Sequence, residues 1–317
     1  MHLLTLLQTV ALLVAPVLST PTTIFTVPGT LPNSWFENLA VRPNGKILAT
    51  RGDAPEIWQI DPATSTGSLL VSVAGAYNLT GIAEVVPRKK HGKRPETYIF
   101  ASAYIPAPFT VAPGSAKVWK LRFSSTGTPS VSLLTALPSA GFLNGVAAWT
   151  NHRVLISDTE LESVYLMDVD TASYTTPLTN MTGINGIQTA PGYLYWANHL
   201  AASLSRRPVD GNVVPTGAVE TLASGQNIDD FAIRVDSAGE GVAYIGAMYD
   251  NEVVEVEIDP APSTGLGATS VVESNLSGSG FGLCTVVVFG RTSADSGLLY
   301  ATVGQGGASA SVVRITP

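Results

Sequence analysis

The sequence predicts an all-β chain, a six-bladed β-propeller closed by its own N-terminal strand, and three observations lead there. The first is a phrase that returns six times: polar residues, an apolar strand, a turn, a second apolar strand. The copies begin at Trp35-Phe36-Glu37-Asn38-Leu39-Ala40-Val41, Asn78-Leu79-Thr80-Gly81-Ile82, Phe142-Leu143-Asn144-Gly145-Val146, Gly183-Ile184-Asn185-Gly186-Ile187, Asn227-Ile228-Asp229-Asp230-Phe231 and Gly280-Phe281-Gly282-Leu283. With Leu39, Ile82, Val146, Ile187, Phe231 and Leu283 as markers, the copies step by 43, 64, 41, 44 and 52 residues. A period of about 40–50 residues with several strands per unit marks a propeller blade. The second observation is that the region after residue 19 carries no amphipathic helical stretch of useful length. The third is a spare strand, Thr22–Val27, ahead of the first blade. An open ring would leave sheet edges unpaired, so this strand is expected to complete the last blade beside Val312–Ile315.

Residues 1–19 are read as a secretory leader. Leu3–Leu18 is an apolar run broken by Thr5, Gln8, Thr9 and Pro16, and small residues suited to cleavage follow it. The run is short for a membrane span. Residues 20–317 are read as one domain, because no linker-like stretch divides them. In the first blade, Asn38–Val41 runs into the turn Arg42-Pro43-Asn44-Gly45. Lys46–Thr50 returns, and Glu56–Asp61 forms a third strand. The third, fourth and fifth copies repeat that order, with turns at Pro191-Gly192 and Ser237-Ala238-Gly239.

Only 13% of residues are charged against 45% hydrophobic, so the surface leans on Ser, Thr, Asn and Gly. Net charge is −7, and one basic run, Arg88–Arg94, stands alone without interleaved aromatics. It reads as a hairpin tip, not a nucleic-acid site. A single cysteine, Cys284, excludes an internal disulfide and reads as an inert buried thiol. Sequons at Asn78, Asn180 and Asn275 are candidate glycosylation sites, in keeping with a secreted or secretory-pathway protein and no membrane anchor after leader cleavage.

Propeller geometry then selects the candidate site. The inner strand of each blade starts at one mouth of the channel and the second strand returns to it. The position just before each first marker holds Glu37, Thr80, Asn144, Asn185, Asp229 and Phe281. Glu37, Asn144, Asn185 and Asp229 together offer the oxygen donors that suit Ca²⁺ or a similar hard cation, and the scarcity of Cys and His argues against zinc. Capping of strand entries is the alternative for each. Residues after the second strands add Arg51, Tyr104, Asp158, Asn198, His199, Met248, Tyr249 and Gln305, a rim suited to a bulky, largely apolar molecule with one polar end. Arg51 could instead pair with Asp53 or Glu56, and His199 could be a surface-loop residue. Trp35 is either a substrate contact or, like Trp149, packing between blades. No Gly-x-Ser-x-Gly elbow, phosphate loop, His-Glu-x-x-His or Cys-x-x-Cys motif is present.

The ring of Glu37, Asn144, Asn185 and Asp229 on six blades resembles the senescence-marker/gluconolactonase-like and strictosidine-synthase-like propellers. In the former, such residues hold a divalent cation that polarises a lactone. The phrases Glu37-Asn38-Leu39-Ala40-Val41-Arg42, Phe142-Leu143-Asn144-Gly145-Val146, Gly183-Ile184-Asn185-Gly186-Ile187, Asp229-Asp230-Phe231-Ala232 and Phe289-Gly290-Arg291 resemble the secreted fungal subgroup that includes hetero-Diels–Alderases of tropolone–sesquiterpene biosynthesis. That resemblance implies a pericyclase joining a quinone methide polyketide to a sesquiterpene such as humulene, with no cofactor required for the cycloaddition. Arg51 and His199 are then expected near the reacting oxygen, and Tyr104, Met248 and Tyr249 against the terpene. A cation-dependent lactonase is the runner-up, and a non-catalytic propeller binding a small molecule or protein at its mouth is the third reading.

Overall fold

The computed structural model describes residues 20–29, 32–86, 95–106, 110–260, 265–274, 276 and 282–317. The expected leader, the basic run Arg88–Arg94, Asn275 and Phe281 lie outside the described residues. The described strands form six four-stranded antiparallel sheets. The first blade comprises Phe36–Val41, Ile47–Arg51, Glu56–Asp61 and Thr66–Ser72, and the second Ile82–Val85, Thr97–Ser102, Lys117–Phe123 and Pro129–Ala136. The third, fourth and fifth blades open with the inner strands Leu143–Thr150, Ile184–Ala190 and Ile228–Val235. The sixth joins Val287–Phe289, Leu299–Gln305 and Ala308–Ile315 to the N-terminal strand Thr22–Thr26.

That last pairing is the predicted closure. Thr23 lies opposite Val313, Phe25 opposite Val312 and Thr26 opposite Ser311. Ile24, Phe25 and Val27 are buried with Phe36 and Leu39 of the first blade and Val312 of the sixth, so closure is sealed by apolar area as well as by backbone hydrogen bonds. The remaining apolar clusters likewise lie between neighbouring blades; one packs Val118 and Leu137 of the second against Val146 and Met167 of the third. Each sheet is therefore buried on both faces, which explains the near-continuous apolar runs in its inner strands. Trp149 packs between the third and fourth blades and donates its indole N–H to Gly211 O at 3.0 Å, as expected for a packing residue.

The sixth repeat aligns differently from its sequence phrase. Leu283 bridges Gly304, and the Thr285 amide donates to Thr302 Oγ1 at 2.9 Å. Equivalent bonds join Asn38 N to Thr50 Oγ1 and Gly145 N to Ser157 Oγ. The sixth-blade counterpart of Glu37 and Asn144 is thus Cys284, not Phe281, and Val286 takes the marker position assigned to Leu283. The phrase misled because two glycines flank Phe281 and imitate the Asn-Gly pairs of other blades. Cys284 is fully buried, and burial followed by the nearby Asp229 charge pushes its thiol up to about 12.

Candidate functional site

In four blades the inner strand slips register at the same place: between Phe36 and Asn38, Leu143 and Val146, Ile184 and Ile187, and Ile228 and Phe231. A bulge frees the intervening residues from the ladder and re-aims their side chains. Those residues include Glu37, Asn144, Asn185 and Asp229. In the first and third blades a hydroxyl on the second strand fixes the bulge and ties it to the next blade. Thr50 Oγ1 accepts from Asn38 N–H and donates to Thr80 O at 2.8 Å, while Ser157 Oγ accepts from Gly145 N–H and donates to Asn185 O at 2.6 Å.

The four side chains line one cavity of about 700 Å³ at the upper mouth, where the inner strands begin. Its floor is polar and under electrostatic strain. Burial raises the Glu37 carboxyl against a 2.6 Å hydrogen bond from Trp35 Nε1. Burial, then the charges of Glu37 and Asp230, lift Asp229 well above the ordinary aspartate range, although Asn185 donates to it. Asn185 Oδ1 is buried without a partner. Such a cluster is relieved by a proton or by a cation. Two carboxylates with amide oxygens suit a hard cation, although among the described residues no three His, Cys, Asp or Glu side chains gather tightly enough to form a metal site alone.

Beneath the floor, Asp230 closes the channel. Asn38 Nδ2, from two blades away, donates to its Oδ2 at 2.7 Å, and Gln188 adds a further bond. Burial carries its carboxyl up to about 7 despite those bonds and the Phe231 amide. Gly186 is required here, because a Cβ would run into the Asp230 carboxyl. A second cavity of about 520 Å³ opens at the lower mouth and shares no lining residue with the first.

The walls above the floor are unequal. Tyr104, Ile105 and Val111 come from the long loop of the second blade, and Tyr77 from the connection into it; the Tyr77 and Tyr104 rings lie 4.1 Å apart. Met248 and Tyr249 come from the fifth blade, three blades round the ring and so opposite. His199 lines the cavity from the fourth blade with Nδ1 held 2.8 Å from Gly183 O. A carbonyl only accepts, so Nδ1 carries hydrogen. Trp35 lines the cavity while packed between Gly52 of the first blade and Gly304 of the sixth; at Gly52 any Cβ would collide with the indole. Gln305 completes the rim from the sixth blade.

Three expected site residues are placed elsewhere. Arg51 is buried and committed to Asp53, through Nε at 2.7 Å and Nη2 at 2.5 Å, and to Glu56 at 3.2 Å. Asp158 is fully buried and accepts from Gly141 N, Leu161 N and Tyr165 OH. Asn198 bonds Thr182 O and Ala201 N, tying its own turn. The cause is parity. Arg51, Asp158 and Asn198 pair with Phe36, Leu143 and Ile184, and their side chains turn from the axis; the next residues, Gly52, Thr159 and His199, line the cavity. The sequon Asn78 is 6% exposed and lines the same cavity, so the folded protein has no room there for a glycan, whereas Asn180 is exposed. Tyr77, Asp53 and Thr159 were not singled out from the sequence. Only the one-residue step beyond a paired position could have found Thr159; the sequence marked Asp53 only as a partner for Arg51, and nothing in it marked Tyr77.

No protein-family profile matches the chain. A Sarocladium schorii protein named as a candidate hetero-Diels-Alderase is 28% identical over 86% of this chain and 76% of its own. A Phoma protein with the same name is 27% identical over 86% of this chain and 84% of its own. Among solved structures, the calcium-binding protein regucalcin of Agrobacterium tumefaciens superposes with a TM-score of 0.62 at 13% identity, covering 93% of both chains. Virginiamycin B lyase of Staphylococcus aureus gives 0.54 at 10% identity, covering 92% of this chain and 98% of its own. At such identities the solved structures speak to the fold alone. The chain is a six-bladed β-propeller of the regucalcin-like fold, related in sequence over most of its length to fungal proteins that carry the hetero-Diels–Alderase name.

Proposed function

We propose that the chain is a secreted or secretory-pathway pericyclase of the hetero-Diels–Alder type, joining a quinone methide polyketide of tropolone type to a sesquiterpene such as humulene. The observation that carries this reading is the cavity's division: apolar ledges from the second and fifth blades face each other above a polar floor. An alkene held on the ledges and a heterodiene with its oxygen toward the floor are in near-attack geometry, and such positioning supplies a large part of a cycloaddition's barrier reduction. A hydrogen bond to the heterodiene oxygen lowers its acceptor orbital and stabilises developing charge. Asn144 brings an amide N–H to that floor, and His199 lines the wall beside it. Arg51 has no part in this contact. The names of the two relatives support the reaction type. Incubation with a quinone methide precursor and humulene tests it: faster, stereochemically enriched product is expected, and yield and stereochemistry equal to buffer would sink it.

A second reading is favoured by the unpartnered Asn185 Oδ1 beside two destabilised carboxyls. Glu37, Asn144, Asn185 and Asp229 fit a hard cation such as Ca²⁺, which would supply polarisation of a lactone carbonyl. Elemental analysis of the native protein and a thermal shift with chelator separate the two. Bound stoichiometric metal and a chelator-induced fall in Tm would favour the lactonase.

A further inference from the structure

Three of the donors that surround the cavity are spent on the protein itself. The Trp35 indole N–H is given to Glu37 Oε2, the Asn185 amide to Asp229, and His199 Nδ1–H to Gly183 O. The cation nearest in sequence, Arg51, is buried against Asp53 and Glu56. Among the described residues that line the cavity there are three carboxylates, Glu37, Asp53 and Asp229, and no lysine or arginine. Asn78 and Asn185, both more than nine-tenths buried, each keep an amide oxygen without a partner, and Thr159 keeps a hydroxyl that can accept or donate.

We infer that this cavity selects an uncharged ligand whose polar end carries hydroxyl or N–H donors, and that it turns away carboxylates, sulfonates and phosphates. An anion entering a cleft lined by carboxylates meets repulsion that low-dielectric walls strengthen, and it finds no free cation to pair with. A hydroxyl instead satisfies oxygens whose burial without a partner is costly. The apolar ledges accept the body of the same molecule whatever its head carries, so the head group decides. This rests on the cavity being the ligand site proposed above and names the chemistry of what enters it. Because binding alone is read, it stands or falls separately from the cycloaddition.

Three probes that share one naphthalene body test it by titration calorimetry: 2-naphthol, 2-methoxynaphthalene and 2-naphthoate. The expected order of affinity is naphthol, then the methyl ether, then naphthoate, with about tenfold or more between the first and last. Glu37→Gln and Asp229→Asn, each alone, are expected to narrow that gap by strengthening naphthoate binding, and either folded variant suffices. Met248→Trp, which fills the cavity, should abolish naphthol binding and so locate it. Naphthoate binding as tight as naphthol in the wild type overturns the inference. So does naphthoate binding that rises with added Ca²⁺, the result expected if a cation occupies the floor. A methyl ether that binds as well as naphthol overturns the requirement for a donor.

Discussion

The two mouths of the channel are made from the same six inner strands, yet they are different kinds of surface. At the lower mouth the first and fourth blades join their inner strands by the tight hairpins Arg42–Lys46 and Pro191-Gly192, and the walls are Ala83, Ala147, Ala148 and Val288. Its charged groups serve the scaffold. Arg291 bonds Glu84 and Val41 O, linking the sixth blade to the second and first. Arg42 pairs with Glu96 through two bonds of 2.7 and 2.8 Å while stacking 3.7 Å from the Phe123 ring. At the upper mouth, bulges aim acids and amides at the axis, and longer loops add aromatic rings. The lower end holds the blades in a ring; the upper end varies what the ring presents.

Several experiments would break or sharpen this contrast, and the closure between the two ends matters most. Deleting residues 20–27 removes three buried apolar side chains, each worth about 1.5–3 kcal/mol, and bares a sheet edge. The protein is expected to fail to fold or to melt far lower, and an unchanged Tm would refute closure. Next, crowding the two mouths should have unequal results. Met248→Trp is expected to abolish turnover in the cycloaddition assay with Tm nearly unchanged, and Ala148→Trp at the lower mouth to leave turnover intact. Equal losses from both would mean that the lower cavity also takes part.

Smaller effects are expected from the scaffold charges. Glu96→Gln should cost about 2 kcal/mol in denaturant unfolding by weakening charge-assisted bonds to a mostly buried guanidinium. Burial alone would raise the Glu96 carboxyl, but its bonds from Arg42 and Tyr98 outweigh that and hold it below the ordinary 4.5. The stabilisation is therefore complete above pH 4.5 and is lost as pH falls through the lower folded value. Between those limits, wild type and Glu96→Gln should converge in stability; a constant difference would remove the ion pair as its cause. The smallest effect is expected at the exposed sequon. Asn180→Gln should lose one glycan's mass from protein made in a glycosylating host, without loss of activity, while Asn78→Gln should leave the mass unshifted and disturb the cavity.

Much of this was legible because repetition and burial write strong patterns. The blade phrase located five of six inner strands, and the spare Thr22–Val27 strand was legible because an unpaired edge is costly. Glu37, Asn144, Asn185 and Asp229 were found together because each follows the same buried entry residue. Arg51, Asp158 and Asn198 were misplaced by one residue, and in a strand one residue is the difference between facing the axis and facing away. Residue type could not reveal that parity, since it depends on which pair of residues ends the ladder. Tyr77 was invisible for another reason: it lies in a connection with no period, where its ring meets that of Tyr104 at the mouth.

The Asp230–Asn38 bridge beneath the floor has a kinetic consequence. With the channel stopped below, the upper cavity opens, among the described residues, at its own mouth, and whatever leaves it must pass where the next ligand enters. In the proposed cycloaddition, product would then compete with both reactants for the same passage. An apolar product larger than either reactant should linger, so turnover is expected to be paced by departure and slowed as product accumulates.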